Sequence, residues 1–418
     1  MVKRIKILLY SCNFAPESIG IGKYSGEMAE WLAEQGHSVR VVAAPPYYPM
    51  WKVDSAYRFP FYRRELWRGV EILRAPIWVP QKPGGLARVL HLLSFAIASF
   101  PIMIRQVFWR PDLVVSVAPA FVCAPIALLT ASLCGARKWL HLQDFEVDLA
   151  FQMSFLKGRI LQSAILRVER WIFSRFDHVS SISRRMMERL HSKGVDPKRT
   201  RYLPNWVDIS HIRPSLSGTK YRELLGIAAD TLVVLYSGSL GGKQGLMIIP
   251  AVATLLAARK DIVFVVCGDG VLKQKIQSAS LGLPNIHFLP LQPYETLGQL
   301  LCMADMHLLS QSVGAADLVL PSKLSGMLAS GRPVIAACRS GTEIDAVVSQ
   351  CGLVVPPQDI DGMAAAICKL VDDPRMRVEL GRRARAYAES SFEREAILGK
   401  VFGQLDADLQ RVVDNAVA

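Results

Sequence analysis

Short apolar runs alternate with longer stretches of helical periodicity along almost the whole chain. Runs rich in Val, Ile and Leu predict strands at 5–10, 38–43, 70–74, 112–117, 137–142, 177–181, 231–236, 262–266, 286–289, 305–309, 333–337 and 353–355. Helical patterns lie between them at 23–35, 159–175, 246–258 and 359–371. Strands that are apolar on both faces and joined by helices form parallel sheets covered on both sides. The pattern therefore predicts an α/β chain with two doubly wound units in tandem.

The chain has 418 residues, which is too long for one ordinary hydrophobic core. The two series of strands are separated by the segment Leu203-Pro-Asn-Trp-Val-Asp208 and a stretch rich in Ser, Pro and Gly. We expect a first domain at 1–205 and a second at 206–390. In sheets of this kind ligands bind beyond the carboxyl ends of the strands, so the loops that follow strands should carry the chemistry.

Charge distinguishes the two halves. The chain has 49 Lys and Arg against 36 Asp and Glu, a formal net charge of +13. Residues 1–210 carry 29 basic and 16 acidic side chains, and the remainder carries 20 of each. Because the whole excess lies in the first half, that half is expected to face an anionic partner.

Two basic segments specify this partner further. Residues 58–68 interleave arginines with aromatic side chains, and 156–175 reads as an amphipathic helix. The helix places Leu161, Ile165, Val168 and Ile172 on one face and Arg159, Arg167 and Arg170 on another. Such a surface fits an anionic membrane, and nucleic acid is disfavoured because no recognition fold accompanies it. A core helix with a solvated basic face is the alternative.

Neither disulfides nor a membrane span is predicted. The eight cysteines form no CxxC pair, which indicates free thiols in a reducing cytosol. The apolar stretch 86–108 is interrupted by Arg88, His91, Pro101 and Arg105. We therefore expect a cytoplasmic protein held peripherally at the inner face of the cytoplasmic membrane.

The first strand leads into a turn with two glycines and then into a helix. Gly20 and Gly22 lack a Cβ, so the backbone can approach a ligand closely. The start of a helix behind them favours an anion such as phosphate. The alternative is an ordinary strand-to-helix turn.

A similar turn follows the first strand of the second half. It runs Ser237-Gly238-Ser239-Leu-Gly-Gly-Lys243-Gln244-Gly245 into a helix. Lys243 is a candidate to neutralise a diphosphate, although GxxxxGK[ST] spacing is absent. A solvated surface lysine is the alternative.

Three later segments add candidates at carboxyl edges. Gly268 and Asp269 form a tight turn after the strand 262–266, and Asn285–Leu291 supplies a strand and a loop whose backbone can contact a base. Lys323 lies at the start of a helix, where the helix dipole disfavours a cation unless an anion is bound. The alternative is an exposed lysine.

These motifs together resemble the retaining GT-B glycosyltransferases of family 4 over nearly the full chain. The resemblance runs through "FAPESIGIGKYSGEMAEWLAEQGHSVRVV", "YLPNWVD", "YSGSLGGKQGL", "VFVVCGDG", "ADMHLLS" and "PSKLSGMLASGRPVIA". The opening, "GGKQGL" and "PSKL" look most like enzymes of the colanic acid type, which build bacterial exopolysaccharide.

The resemblance implies two facing Rossmann-like domains. The second would bind the donor nucleotide and the first the acceptor, a lipid-linked saccharide. A C-terminal segment at 391–418, helical around 393–415, would return to the first domain. No cofactor is implied, and the donor is a GDP- or UDP-sugar, with GDP-fucose suggested by the colanic acid type.

Site residues are implied by their match to family motifs. Lys243 and Lys323 are the candidate catalytic residues, acting on the donor diphosphate. The candidate donor-binding residues are Gly20, Gly22, Gly238, Ser239, Gln244, Gly268, Asp269, Leu291, Asp317 and Glu343. Asp144 is the candidate acceptor-binding residue.

Two departures from the family pattern bear on these assignments. The Glu-x7-Glu pair is replaced by Leu318 and Gly326, so Asp317 or Glu343 is expected to take over its role. Where relatives have His-Asp, this chain has Gln143-Asp144, which argues against a catalytic His. The rival functions are a sugar-nucleotide epimerase of the same architecture and a non-catalytic scaffold of a polysaccharide assembly complex.

No metal is expected at the site. The Asp406-Ala-Asp408 pair lies in a polar helical pattern near the C-terminus, not at a strand end. Lysines and backbone amides can stabilise a leaving diphosphate without a metal. If the reaction retains configuration, the leaving oxygen can also accept the proton of the acceptor.

Overall fold

The computed structural model describes residues 4–59, 61–81, 84–119, 121–148, 159–312 and 320–404. The chain divides into two compact units, Met1–Pro204 with Leu398–Ala418, and Asn205–Ile397. The first division falls one residue before the boundary expected from the sequence. Each unit contains one sheet flanked by helices.

The first unit is built on an eight-stranded sheet. Its strands are β1 (Lys6–Ser11), β2 (Ser38–Ala43), β3 (Arg63–Trp67), β4 (Val70–Arg74), β5 (Leu113–Ala118), β6 (Arg137–Leu142), β7 (His178–Ser181) and β8 (Thr200–Tyr202). Their order in the sheet is β3-β4-β2-β1-β5-β6-β7-β8. All neighbours are parallel except β3 and β4, which form an antiparallel hairpin.

That hairpin corrects the expectation of a wholly parallel sheet. The strand β3 reads Arg-Arg-Glu-Leu-Trp and alternates half-buried with exposed positions, so it lacks the apolar run of a central strand. It lies at the sheet edge, where charged residues are common because one side of the strand faces solvent. The segment 58–68, expected as part of a basic surface, therefore contains this edge strand.

The helices of the first unit cover both faces of its sheet. They are α1 (Gly20–Glu34), α2 (Gly85–Gln106), α3 (Ala124–Cys134), α4 (Arg159–Arg175) and α5 (Arg184–Ser192). On one face Leu8 and Tyr10 of β1 pack in a core with Phe95 of α2. Residues 394–404 are also helical, and Phe402 contacts the rings of Trp31 and Trp139 at 5.9 and 5.2 Å between centroids.

Helix α4 differs from its predicted amphipathic pattern. Ile172 is buried, but Val168, one turn earlier, is exposed together with Arg167 and Trp171. Among the described side chains of the expected apolar face, Ile172 is buried, Ile165 is half-buried and Val168 is exposed. The side chains of Arg159 and Leu161 lie outside the described part of the chain.

The second unit has the strand order of a Rossmann fold. Its strands are β9 (Leu232–Ser237), β10 (Ile262–Cys267), β11 (Ile286–Leu289), β12 (Met306–Ser310), β13 (Val334–Ala337) and β14 (Gly352–Val355). They are all parallel in the order β11-β10-β9-β12-β13-β14. In order of appearance this is 3-2-1-4-5-6, and ligands of such sheets bind at the carboxyl edge where the order reverses.

Helices cover this sheet on both faces as well. They are α6 (Thr219–Leu225), α7 (Ile248–Leu255), α8 (Lys273–Ala279), α9 (Tyr294–Met303), α10 (Ser322–Ala329), α11 (Glu343–Val348), α12 (Ile360–Asp372) and α13 (Pro374–Ser391). Val233 and Leu235 point into one core, and Val234 and Tyr236 into the other. Alternate residues of β9 thus anchor two cores, as expected for a strand buried on both sides.

Candidate functional site

The carboxyl edge of the second sheet brings two glycine turns into backbone contact. Strands β9 and β10 pair with Ser237 opposite Cys267, so the turns that follow them lie side by side. The amide of Gly238 donates to the carbonyl of Cys267 at 3.0 Å. Gly268 has φ +149°, and a Cβ there would overlap the carbonyl oxygen of Gly238. Only glycine fits at 268, because both the positive φ and the close backbone approach exclude a side chain.

Lys323 lies against the same turn. It is the second residue of α10, and a Cβ on Gly238 would lie 3.2 Å from its Cδ. Its Nζ donates to the hydroxyl of Tyr236 at 2.9 Å and lies 4.1 Å from the centroid of that ring. The tyrosine hydroxyl in turn donates to the carbonyl of Ser239 at 2.7 Å. The alternative of a freely exposed lysine is therefore wrong.

The surroundings of Lys323 change its protonation. The ammonium group is largely removed from water, and this desolvation lowers its pKa to about 7. No carboxylate of the described residues pairs with it. A bound anion would favour the charged form.

Tyr236 was not identified from the sequence. Its partner Lys323 is 87 residues away, and burial raises the pKa of its hydroxyl. The hydroxyl fixes both the lysine and the backbone of the glycine turn. The only local signal was a tyrosine at the end of a strand, directly before Ser-Gly-Ser.

The loop after β9 continues with a short 3₁₀ turn, Gly242–Gln244, that ends at Gly245 with φ +61°. The Oε1 atom of Gln244 is buried and accepts no hydrogen bond from the described residues. A buried acceptor without a donor is costly, so this amide is suited to a ligand or a water. Lys243 lies in the same turn, and its side chain falls outside the described part of the chain.

Other candidates of this unit are more scattered. The Asp269 carboxylate is exposed, accepts from the Gly270 amide at 2.8 Å and pairs with Lys273 at 3.2 Å. Leu291 is exposed after β11, and Glu343 is buried in the first turn of α11. Asp317 lies outside the described residues. The structure thus gathers Gly238, Ser239, Gln244, Gly268 and Lys323 most closely.

The glycine turn of the first unit is built around a carboxylate. Glu17 is buried, and its Oε1 accepts from the amides of Tyr47 and Tyr48, both at 3.0 Å. Its Oε2 accepts from Asn13 at 3.0 Å and would lie 2.5 Å from a Cβ placed on Gly22. Gly20 is exposed with φ +62°. In this structure Gly22 therefore makes room for Glu17, a residue that the sequence did not single out.

Burial raises the pKa of Glu17 above its usual range, although the two backbone amides and Asn13 oppose the shift. Asp144, the acceptor-side candidate, is half-buried and accepts from the Phe145 amide at 2.9 Å. Next to it, Gln143 contacts Nε2 of His141 at 3.2 Å. Burial lowers the pKa of His141 to about 3, so that imidazole is neutral.

Among the described residues, no group of three or more His, Cys, Asp and Glu side chains is placed so that it could hold a metal ion. Asp406 and Asp408 lie outside the described residues. Metal independence stays a prediction.

The fold of both units defines the class. A solved structure of HepE from Anabaena in complex with UDP-glucose matches 97% of this chain and 100% of its own with a TM-score of 0.68 at 17% identity. At that identity the likeness concerns the fold, two Rossmann-like domains of the GT-B type. The expected fold class is confirmed.

Sequence comparison then gives the family. Residues 20–206 match the glycosyl transferase 4-like domain, and residues 218–387 match the glycosyl transferases group 1. WcaI of Escherichia coli (strain K12), a glycosyl transferase assigned to colanic acid biosynthesis, is 38% identical over 404 residues, 94% of this chain and 98% of WcaI. The chain belongs to this glycosyltransferase family.

A second relative is more distant. The GDP-mannose-dependent monoacylated alpha-(1-6)-phosphatidylinositol monomannoside mannosyltransferase of Corynebacterium glutamicum is 26% identical over 238 residues, 55% of this chain and 62% of that protein. The family assignment makes this chain a glycosyltransferase, in preference to an epimerase or a scaffold.

Proposed function

We propose that this glycosyltransferase moves a sugar from a nucleoside diphosphate donor to a lipid-linked saccharide during synthesis of a colanic acid-type exopolysaccharide. The proposal rests on the position of Lys323. This lysine lies against Gly238 and Tyr236, at the carboxyl edge where a Rossmann sheet binds its ligand. The lysine suits the diphosphate of the donor, and the unsatisfied oxygen of Gln244 suits a hydroxyl or amide donor on the attached groups.

The chemistry follows from the charge that develops. Cleavage of the bond between the anomeric carbon and the phosphate oxygen leaves negative charge on the departing diphosphate. Lys323 stabilises that charge. We propose retention: the acceptor oxygen attacks the face that the diphosphate leaves, and its proton passes to the departing phosphate oxygen. A protein nucleophile and a metal are not part of this route.

The relatives support the donor and acceptor classes. HepE binds UDP-glucose, and the corynebacterial enzyme uses GDP-mannose with an acylated phosphatidylinositol mannoside, as their names state. WcaI is assigned to colanic acid biosynthesis. By analogy this chain takes a UDP- or GDP-sugar, with GDP-fucose as the first donor to test, and works at the cytoplasmic face of the inner membrane.

Product analysis tests the proposal directly. The protein is incubated with a panel of GDP- and UDP-sugars and a lipid-linked acceptor extract, and the products are weighed by mass spectrometry. We expect one donor to add a single sugar to the acceptor. Lys260→Ala, an exposed lysine before β10 at the opposite edge of the sheet, is the control that keeps activity.

Two results would overturn the proposal. A sugar nucleotide converted to an isomer without acceptor would indicate epimerase activity. A chain that shows neither transfer nor thermal stabilisation by any nucleotide would indicate a scaffold, because a ligand that binds the folded state raises its melting temperature.

A further inference from the structure

Helix α2 has one covered face and one uncovered apolar face. Phe95 and Met103 are fully buried, and the hydroxyl of Ser99 contacts that of Tyr10 in β1 at 2.5 Å. This side packs the helix against the sheet of the first unit. The opposite side carries an exposed stripe at helical spacing, formed by Leu86, Leu90, Leu93, Ile97 and Phe100.

This helix has the composition of a membrane segment but is anchored along its length. Gly85–Trp109 is long and apolar enough to cross a bilayer, and 28% of its most apolar window is buried. The 22 residues of α2 itself, Gly85–Gln106, extend over about 33 Å at the α-helical rise. Because one side is packed on the sheet, the exposed stripe can meet a membrane only while the helix lies in the plane of the surface.

Neighbouring aromatic side chains widen the stripe. Phe59 and Phe61 are exposed beside Tyr62, whose hydroxyl donates to the carbonyl of Ala98 in α2 at 3.1 Å. Trp78 is exposed, and its amide donates to the hydroxyl of Ser94 at 2.9 Å. We call the stripe with Phe59, Phe61 and Trp78 the apolar face. Aromatic rings of this kind are enriched at the interface between lipid and water.

A basic cavity adjoins the apolar face. It has a volume of about 730 Å³ between the β3–β4 hairpin and the C-terminal half of α2. Pro101 and Ile102 of α2 form part of its wall, next to Phe100 of the stripe. Its charged lining consists of Arg40, Arg63, Arg64, Arg74, Arg105 and a single carboxylate, Glu71.

The ion pairs of these arginines leave an excess of positive charge at the cavity. Glu71 is shared by Arg40 at 2.8 Å and Arg64 at 2.6 Å. Glu65 is likewise shared by Arg63 at 3.5 Å and Arg74 at 2.6 Å. Arg105, on α2, has no ion-pair partner among the described residues. Five guanidinium groups thus face two carboxylates, and planar guanidinium groups bind phosphate well.

Most of this cavity lies away from the glycine turn of the same unit, although Arg74, at the carboxyl end of β4, reaches that turn by donating to the carbonyl of Ala15. Arg40 and Glu71 face each other near the amino ends of β2 and β4. Gly20 and Glu17 lie beyond the carboxyl end of β1. Ligands of such sheets bind beyond the carboxyl edges, so the part of the cavity between Arg40 and Arg105 is available to a different ligand.

We propose that the apolar face and the arginine cavity form one membrane-docking site, in which α2 lies in the plane of an anionic bilayer and the cavity holds the phosphate of a phospholipid headgroup. The inference deepens the proposed function and rests on it only for the membrane that carries the acceptor. Lipid fits better than a second copy of the chain, since symmetric pairing through α2 would bring together two surfaces on which arginines outnumber carboxylates.

Vesicle co-sedimentation tests the site with the full chain. We expect binding to phosphatidylcholine vesicles containing one third phosphatidylglycerol, weak binding to pure phosphatidylcholine, and release by salt. The double variant Ile97→Asp with Phe100→Asp should weaken binding at least tenfold. Val378→Asp in α13 is the matched control, because Val378 is 71% exposed and Ile97 is 73% exposed.

The cavity is tested through Arg105. The variant Arg105→Glu should weaken binding to the anionic vesicles severalfold and reduce its salt dependence, while Arg375→Glu, an exposed arginine of α13, should change neither. At constant ionic strength, excess inorganic phosphate should leave vesicle binding intact. Complete displacement by phosphate would assign the cavity to the free ion and overturn the lipid assignment.

Other results would also contradict the inference. Unchanged vesicle binding by the stripe variant would do so, as would a dimer that the same variant converts to a monomer in analytical ultracentrifugation. Resistance to alkaline carbonate extraction would indicate a spanning helix instead.

Nucleotide-induced thermal stabilisation separates this inference from the proposed function. If stabilisation by GDP or UDP persists while vesicle binding is absent, the docking site alone fails. If vesicle binding persists while no nucleotide stabilises the protein, the proposed function fails and the docking site stands.

Discussion

The two units begin with the same pattern, a buried strand followed by a glycine turn and a helix, and they use it differently. In the first unit the space beside Gly22 is filled by the chain's own carboxylate, Glu17. In the second unit the turn at Gly238 is lined by a cation, Lys323, that comes from a distant helix. The glycines provide space, and the side chain that enters that space decides which ligand the turn suits.

The hydrogen bonds reinforce this contrast. Glu17 accepts hydrogen bonds from the amides of Tyr47 and Tyr48, so these donors are not available to a bound anion. In the second unit Lys323 offers positive charge and forms no ion pair with a carboxylate of the described residues. On this evidence the second turn is the stronger candidate for a diphosphate.

Removing the positive charge of Lys323 should have the largest effect on the transfer rate. We expect Lys323→Ala to lower the transfer rate about 100- to 1,000-fold, the range found when one charge-stabilising donor is removed from an active site. The rate is measured with the donor identified by the product panel. Lys260→Ala should stay within twofold of the parent chain, and equal losses in both variants would remove Lys323 from the catalytic role.

A side chain at the backbone contact should cost the most stability. Gly268→Ala combines a positive φ with overlap on the Gly238 carbonyl, so we expect a loss of about 3 kcal/mol in the free energy of unfolding. Gly242→Ala is the control, since a Cβ there meets nothing within 4 Å. Denaturant titration measures both, and similar stability of the two variants would contradict the geometry.

The corresponding change in the first unit should be milder. An alanine at Gly22 would press on Glu17, and we expect a loss of about 1–2 kcal/mol despite the better helix propensity of alanine. Gly399 is a helical glycine with open space around it. Gly399→Ala should instead gain about 0.5–1 kcal/mol. A gain in both variants would show that Glu17 does not fill the turn.

Nucleotide binding should depend on pH through Lys323. Its pKa is lowered to about 7, so above that pH the free site holds a neutral amine, whereas a bound diphosphate favours the ammonium form. Binding then takes up a proton, and affinity for GDP or UDP should fall as pH rises above 7, by up to about tenfold per unit.

Calorimetry in buffers of different ionisation enthalpy measures that proton uptake. Lys323→Gln should bind more weakly and lose the dependence, since it carries no titrating group at this position. A parent chain whose affinity is constant from neutral to alkaline pH would show that the lysine keeps its charge in the free protein.

Most of the fold could be predicted because its signals are local. The twelve expected strands all begin within one residue of observed strands, from β1 to β14. Runs of Val, Ile and Leu are buried on both faces and need no knowledge of their neighbours. The strands β3 and β8 escaped prediction. The first is charged and depends on pairing with β4, and the second has only three residues.

The candidate site was predictable in its glycines and in the position of Lys323 at a helix start. The roles of Tyr236 and Glu17 could not be predicted. Tyr236 accepts a hydrogen bond from a residue 87 positions away, and Glu17 accepts one from the distant Tyr47 amide, and such contacts leave no local pattern in the sequence.

The residues alone predict the two-unit α/β architecture, the family and the concentration of positive charge in the first half. The tertiary structure alone decided which surfaces those residues form. Helix α2 is apolar almost all round, and only its packing on β1 shows that Leu86, Ile97 and Phe100 remain uncovered. The physical reason is that periodicity sets the direction of a side chain relative to its helix, whereas burial depends on what packs against that helix.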